Sequence, residues 1–159
     1  MDQTYIRGYV IGPALALLSK HDVRSDERAV QLLAAIGWQE SRFEHRQQIR
    51  GPAIGFWQNE QIFVVDIMTR PRSRIIMLDV LDTLHLPTDT ATLHQAIRYH
   101  DVAACCLARL ALWLDVRPLP GPGDSADGWH YYVRNWRPGK PKPNTWLDAW
   151  EYGSALVRA

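Results

Sequence analysis

A single carboxylate, Glu40, closes the apolar run Ala34-Ala35-Ile36-Gly37-Trp38-Gln39-Glu40-Ser41, and Gly51-Pro52-Ala53-Ile54-Gly55-Phe56-Trp57-Gln58 follows a short polar stretch later. At the end of a buried helix, desolvation beside Trp38 and Phe43 disfavours the anion, and the negative end of the helix dipole disfavours it too. Both effects raise the pKa, so such a glutamate carries a proton closer to neutral pH than an ordinary carboxylic acid does. Cleavage of a glycosidic bond requires a donor of that kind, because an unprotonated alkoxide is a poor leaving group. The later segment supplies glycines, which let backbone approach a saccharide closely, and the Gln58 amide, which offers both a donor and an acceptor to hydroxyl and N-acetyl groups.

Positioning Glu40 requires a central helix, and the hydrophobic periodicity is helical almost throughout. A first helix is predicted over Gln3 to Leu18, kinked or broken by Pro13. The next starts at Ser25 or Asp26, either a competent N-cap, and runs to Trp38 or beyond; apolar on several faces, it is the expected centre of the core. Residues 42–58 read as a loop with at most a small β-hairpin near 44–58. Helical pattern resumes over Glu60 to Met68, Ser73 to Leu84 and Asp89 to Tyr99, punctuated by Pro71 and Pro87. Asp101 to Leu114, Ser125 to Trp136 and Thr145 to Val157 complete a mainly α reading. Arg117-Pro118-Leu119-Pro120-Gly121-Pro122-Gly123 is the most linker-like segment and is too short to join independent domains, so 1–159 is expected to be one domain.

Composition narrows the chemistry. Lys and Arg number 18 against 17 Asp and Glu, a net charge of +1, so no strong overall field draws nucleic acid or anionic membrane. Seven Trp in this length is high, and Trp and Tyr stack well on sugar rings and bases. Cys105 and Cys106 are adjacent within an apolar run, where neither a mutual disulfide nor a metal pair fits; they read as small core residues. The histidines at 21, 45, 85, 94, 100 and 130 lack metal-ligand spacing, and no phosphate-binding glycine loop is present, so no metal or cofactor is expected. The N-terminal apolar stretch follows Asp2 and is broken by Gly12-Pro13, unlike a signal peptide, and no run reaches transmembrane length.

Glu40-Ser41 followed by Gly55-Phe56-Trp57-Gln58 resembles the motif pair of the lysozyme-like superfamily, found in lytic transglycosylases and goose-type lysozymes, in which a Glu-Ser pair ends a central helix and a Gly-x-x-Gln segment follows. The resemblance implies a lysozyme-like helical domain and a muramidase acting on the β-1,4 bond between N-acetylmuramic acid and N-acetylglucosamine of peptidoglycan. Glu40 would be the catalytic acid, Ser41 would orient it or the acetamido region of the substrate, and Gly55, Trp57 and Gln58 would line the substrate cleft. A looser likeness covers Trp129 to Gly139: aligned on Gly139, Trp136 and Arg137 stand where transglycosylases carry the Tyr and Asn of an Ala-Tyr-Asn-Ala-Gly segment. Tyr132, Asn135 and Trp136 are the substrate-binding candidates from that stretch.

A retaining or inverting hydrolase needs a second carboxylate, whereas a lytic transglycosylase uses one glutamate as acid and then as base while the muramic acid 6-hydroxyl closes an anhydro ring. Glu60 is the candidate for that second group, with Glu44 and Asp66 behind it. The organisation resembles bacteriophage or prophage lysis and virion-associated muramidases, which would place a soluble chain without its own export signal in the host cytoplasm when made, or in the virion, acting on the cell wall beside other virion components. Two other readings compete: a phage structural or adaptor protein that keeps the helical fold without turnover, and a nucleic-acid binder using Arg70, Arg72, Arg74, Arg134, Arg137, Lys140 and Lys142. Those basic residues are also a candidate patch for acidic wall polymers.

Overall fold

The computed structural model describes residues 1–159 and is mainly α-helical, as the periodicity predicts. Helices α1 (Gln3–Tyr5), α2 (Gly12–Ser19), α3 (Glu27–Ser41), α4 (Gln61–Thr69), α5 (Pro71–Thr83), α6 (Thr90–Ala96), α7 (Asp101–Leu114), α8 (Ser125–Trp136) and α9 (Trp146–Arg158) follow one another, with a π-helical segment at Ile6–Ile11 and a 3-10 turn at Pro143–Thr145. The expected kink at Pro13 takes another form. The chain runs helically through the proline, and the wider π turn ahead of it absorbs the lost hydrogen bond, with the Gly12 N–H reaching back five residues to the Arg7 carbonyl.

Short-range chemistry sets the helix ends. The Asp26 carboxylate accepts from the Ala29 N–H at 3.3 Å at the start of α3, Asp89 accepts from Thr92 at 2.8 Å before α6, and Asp124 accepts from Asp127 at 2.9 Å before α8. His100 caps α7 through Nδ1, 3.3 Å from the Ala103 N–H. Pro71 begins α5 rather than merely separating it from α4, because the first turn of a helix has no partner for the missing N–H.

One core of 40 buried residues draws on every helix from α2 to α9. Every residue of α3 from Ala29 to Gly37 is buried, and α7 is nearly as enclosed, with Cys105 and Cys106 inside it as free thiols. Burial raises the Cys106 thiol to about 12 and pushes the Cys105 thiol well above its ordinary value, so both stay protonated and unreactive. The α3–α9 contact is the broadest between any two helices. It depends on Gly153, where a Cβ would run into the Gln31 carbonyl oxygen of α3. Gly153→Ala is therefore expected to push α9 off the central helix and destabilise the protein by about 2 kcal/mol, lowering the midpoint of a thermal melt by about 6 °C.

The segment 117–123 is fastened to the core. Gln31 Nε2 and Trp150 Nε1 both donate to the Pro122 carbonyl, at 3.1 Å each, and the Tyr131 hydroxyl donates to Leu112 O at 3.0 Å and to Arg117 O at 3.2 Å. No strand forms at 44–58. That loop contains only isolated antiparallel bridges, Gln47 with Ile54 and Ile54 with Asn59. No helix is long and apolar enough to cross a membrane.

Candidate active site

Glu40 lies on the last turn of α3, one residue before the helix ends. The end is forced by Arg42 and Phe43, both left-handed with φ of 56° and 54°, so the chain reverses and folds the Phe43 ring back against Gly37. A Cβ at residue 37 would occupy the space of that ring, which explains why glycine interrupts an otherwise strong helical sequence. Ser41 then ties the helix end to the following loop. Its hydroxyl lies 2.7 Å from the Phe56 carbonyl and 3.1 Å from the Gly37 carbonyl, and accepts from the Phe43 N–H at 3.1 Å.

Beside Glu40 opens a cleft of about 1360 Å³. One wall is the loop and the start of α4, including Gln58, Glu60, Ile62 and Phe63; the other is the end of α8 and the segment leading to α9, including Tyr132, Asn135, Trp136, Arg137, Lys140 and Lys142. The Tyr132 hydroxyl donates to Glu40 Oε1 at 2.6 Å. Tyr132 is held by its ring, which stacks on Trp146 at 5.2 Å and 12°, and the Trp146 indole donates to Ser125 O at 2.8 Å.

Burial dominates the Glu40 carboxyl and raises its pKa, outweighing the Tyr132 hydrogen bond and the charge of Lys142, which both pull it down. The same juxtaposition, burial first and then the neighbouring carboxylate, pushes the Tyr132 phenol well above its ordinary value, so it remains a donor at any physiological pH. Glu40 is thus a carboxyl whose proton is held more tightly than in an ordinary glutamic acid, next to two groups that favour its anion.

The second wall carries its own anchor. Asp115, directly after α7, accepts from Arg134 Nε at 2.8 Å, from Asn135 Nδ2 at 2.9 Å and from the Arg117 N–H at 3.0 Å. Burial alone would raise this carboxyl, but those hydrogen bonds and the Arg134 charge outweigh it and hold it below the usual range. Trp136 reaches across to the first wall, where its indole donates to Trp57 O at 3.0 Å and its ring lies 5.4 Å from Phe63. On the loop side, Arg46 forms a two-pronged bridge to the buried Asp101 at the start of α7, at 2.6 and 3.2 Å, and covers the Phe56 ring.

Glu40, Gln58, Glu60, Tyr132, Asn135 and Trp136 thus share one cleft. Three residues expected to meet substrate are placed elsewhere. Trp57 is fully buried, with its indole donating to Leu33 O at 2.9 Å, so its ring is a core group behind the wall. Ser41 is buried and committed to backbone partners; it positions the helix end and loop without facing the cleft. Gly55 is also buried and has φ of 74°, with space for a Cβ only 3.0 Å from the Ile97 carbonyl. Glycine is needed there for a close approach to the protein's own backbone, not to a saccharide.

Gln58 keeps a cleft position but donates Nε2 to Gly55 O at 2.8 Å and to His45 O at 3.3 Å, which leaves its carbonyl oxygen without a protein partner. Tyr132 touches the acid itself. Asn135 is partly spent on Asp115. Sequence reasoning passed over Gln39 and Asp115, and it read Lys142 as part of a basic patch rather than as a neighbour of Glu40.

Compared with protein-family models, curated proteins and solved structures, the chain matches none. No cluster of three or more His, Cys, Asp or Glu side chains is placed to hold a metal ion.

Removing the Ser41 hydroxyl would leave the Phe43 N–H and the Phe56 carbonyl without a buried partner. Ser41→Ala should destabilise the protein by about 2 kcal/mol, measured as a lower midpoint in urea, with m unchanged.

Proposed function

We propose that this protein cleaves peptidoglycan glycan strands at the β-1,4 bond between N-acetylmuramic acid and N-acetylglucosamine, with Glu40 as the general acid and then the general base. The observation that carries the reading is the environment of Glu40: a partly buried carboxyl at the C-terminal end of α3, raised in pKa, bonded by Tyr132 and opening on a cleft of about 1360 Å³. The resemblance of Glu40-Ser41 and Gly55-x-x-Gln58 to the lysozyme-like motif pair adds to it.

In the first step the protonated carboxyl transfers its proton to the glycosidic oxygen as the bond to the anomeric carbon breaks. Tyr132 occupies Oε1, so Oε2 is the oxygen free to carry that proton. The carboxylate left behind is the species that the Tyr132 hydrogen bond and the Lys142 charge favour, so both lower the energy of proton transfer, while burial acts the other way and raises the pKa of the acid. Trp136, half-buried in the cleft lining, is the aromatic group for a sugar to stack on, and the free carbonyl of Gln58 offers an acceptor to a hydroxyl or N-acetyl N–H.

Two routes complete the reaction. With Glu40 alone, the carboxylate withdraws the proton from the muramic acid 6-hydroxyl, which closes an anhydro ring. With water as nucleophile, a second carboxylate is required, and Glu60, exposed on the opposite wall and without an ion-pair or hydrogen-bond partner, is the residue for it. Mass analysis of the fragments released from purified sacculi separates the routes and tests the proposal. An anhydro end means transglycosylation by Glu40, a reducing end means hydrolysis assisted by Glu60, and no fragments would refute the activity.

A further inference from the structure

The cleft is not electrostatically uniform. Of the arginines and lysines lining it, Arg70 is neutralised by Asp66 at 2.9 Å and Arg134 by Asp115 at 2.8 Å. Arg137, Lys140 and Lys142 form no salt bridge, and all three are exposed on the segment between α8 and α9. The whole chain carries only one net positive charge, so this concentration is local.

Two features distinguish the segment from an ordinary solvated face. First, each of its cations directly precedes a proline, in Arg137-Pro138, Lys140-Pro141 and Lys142-Pro143. A following proline restricts the backbone of the residue before it, so less conformational freedom is lost when these side chains bind a ligand. Second, the segment is clasped to the residue beside the acid. Gln39 Nε2 donates to Lys142 O at 3.1 Å, and the Thr145 hydroxyl lies 3.0 Å from both Lys142 O and Gln39 Oε1. The lip is therefore fixed in register with Glu40.

We propose that Arg137, Lys140 and Lys142 form an anion-reading subsite that binds carboxylates carried as substituents on the glycan strand, and so select an acidic strand over a neutral one. The inference rests on the glycan-cleaving reading of Glu40 and adds the class of strand to it. Neutral chitin presents N-acetyl groups and hydroxyls alone, whereas a peptidoglycan strand presents carboxylates on its lactyl-linked peptides, and only the latter gains from fixed cations at the cleft edge.

Arg137→Gln with Lys140→Gln leaves Lys142, which acts on Glu40, in place. In a Glu40→Gln background, so that nothing is digested, the pair should weaken co-sedimentation with purified sacculi by between about threefold and tenfold and flatten its salt dependence. Binding to chitin should not change, and amidating the free carboxylates of the sacculi should reduce the parent to the level of the pair. Equal binding to sacculi with and without the two cations, or a parallel loss on chitin, would overturn the subsite. Tighter, salt-dependent binding to an oligonucleotide than to sacculi would overturn it in favour of nucleic acid. Digestion of sacculi by the wild type separates the two failures. If it occurs while the pair has no effect, only the subsite falls; if it does not occur, the reading of Glu40 falls and the subsite with it.

Discussion

Glu40→Gln should lower the rate of sacculus cleavage by at least about a thousandfold while the protein stays folded. Gln has the shape of Glu and its carbonyl oxygen still accepts from the Tyr132 hydroxyl, now 2.6 Å from Glu40 Oε1, but it has no proton to give. The same variant should be the more stable protein above the ordinary carboxylate range. Burial raises the folded-state pKa of Glu40 above its unfolded value, so the contribution of this group is most favourable below that unfolded value and is lost as pH rises through the raised one. Substituting a neutral amide removes that loss. The two proteins should melt together near pH 4 and separate toward pH 8, with the variant the higher. An inactive variant that also melts lower at every pH would mean that activity was lost through the fold.

Tyr132→Phe should reduce kcat by between about tenfold and a hundredfold with little change in the fold. The phenyl ring keeps the stack on Trp146, while the hydroxyl that supports the carboxylate left after proton transfer is gone. The pH profile gives this substitution a signature that simple loosening of the cleft lacks. Tyr132 donates to Glu40 and so favours its anion; without that bond, burial acts with less opposition and the Glu40 pKa climbs further. Cleavage requires the protonated acid, so the limb on which the rate falls with rising pH should move to higher pH even as the plateau drops. A limb that stays in place, or moves to lower pH, would remove Tyr132 from the proton transfer.

The helical plan was readable because its signals are local. Asp26, Asp89 and Asp124 cap helices that begin where apolar periodicity starts, and the polar residues after Trp38 come where α3 runs out. Glu40 was readable for the same reason: its position at the end of a buried helix is a property of the nearby sequence. What the neighbouring motif residues face was not. Ser41 and Trp57 flank positions that line the cleft, yet both point inward, because left-handed residues at 42, 43 and 58 turn the chain by amounts that spacing alone does not encode. Gly55 shows the same limit, since a positive φ and a close backbone approach suit a ligand or the protein equally well, and here Ile97 supplies the approach.

Long-range partnerships were the least legible. Tyr132 is 92 residues from Glu40, and as one aromatic among several at helical spacing it carries no mark of the hydroxyl's destination. Asp115 reads as a residue after a helix until α8 brings Arg134 and Asn135 onto it. The π turn before Pro13 escaped prediction because proline signals a lost hydrogen bond without specifying how the chain will compensate.

The most direct measurement is the rate at which the wild-type protein releases soluble fragments from purified sacculi across pH, beside Glu40→Gln. Fragments cut between N-acetylmuramic acid and N-acetylglucosamine, released at a rate that falls only above the ordinary carboxylate range and absent with the folded variant, are the predicted result. No release by the wild type, or release that persists in Glu40→Gln, would contradict the assignment of Glu40 as the acid that cuts the strand.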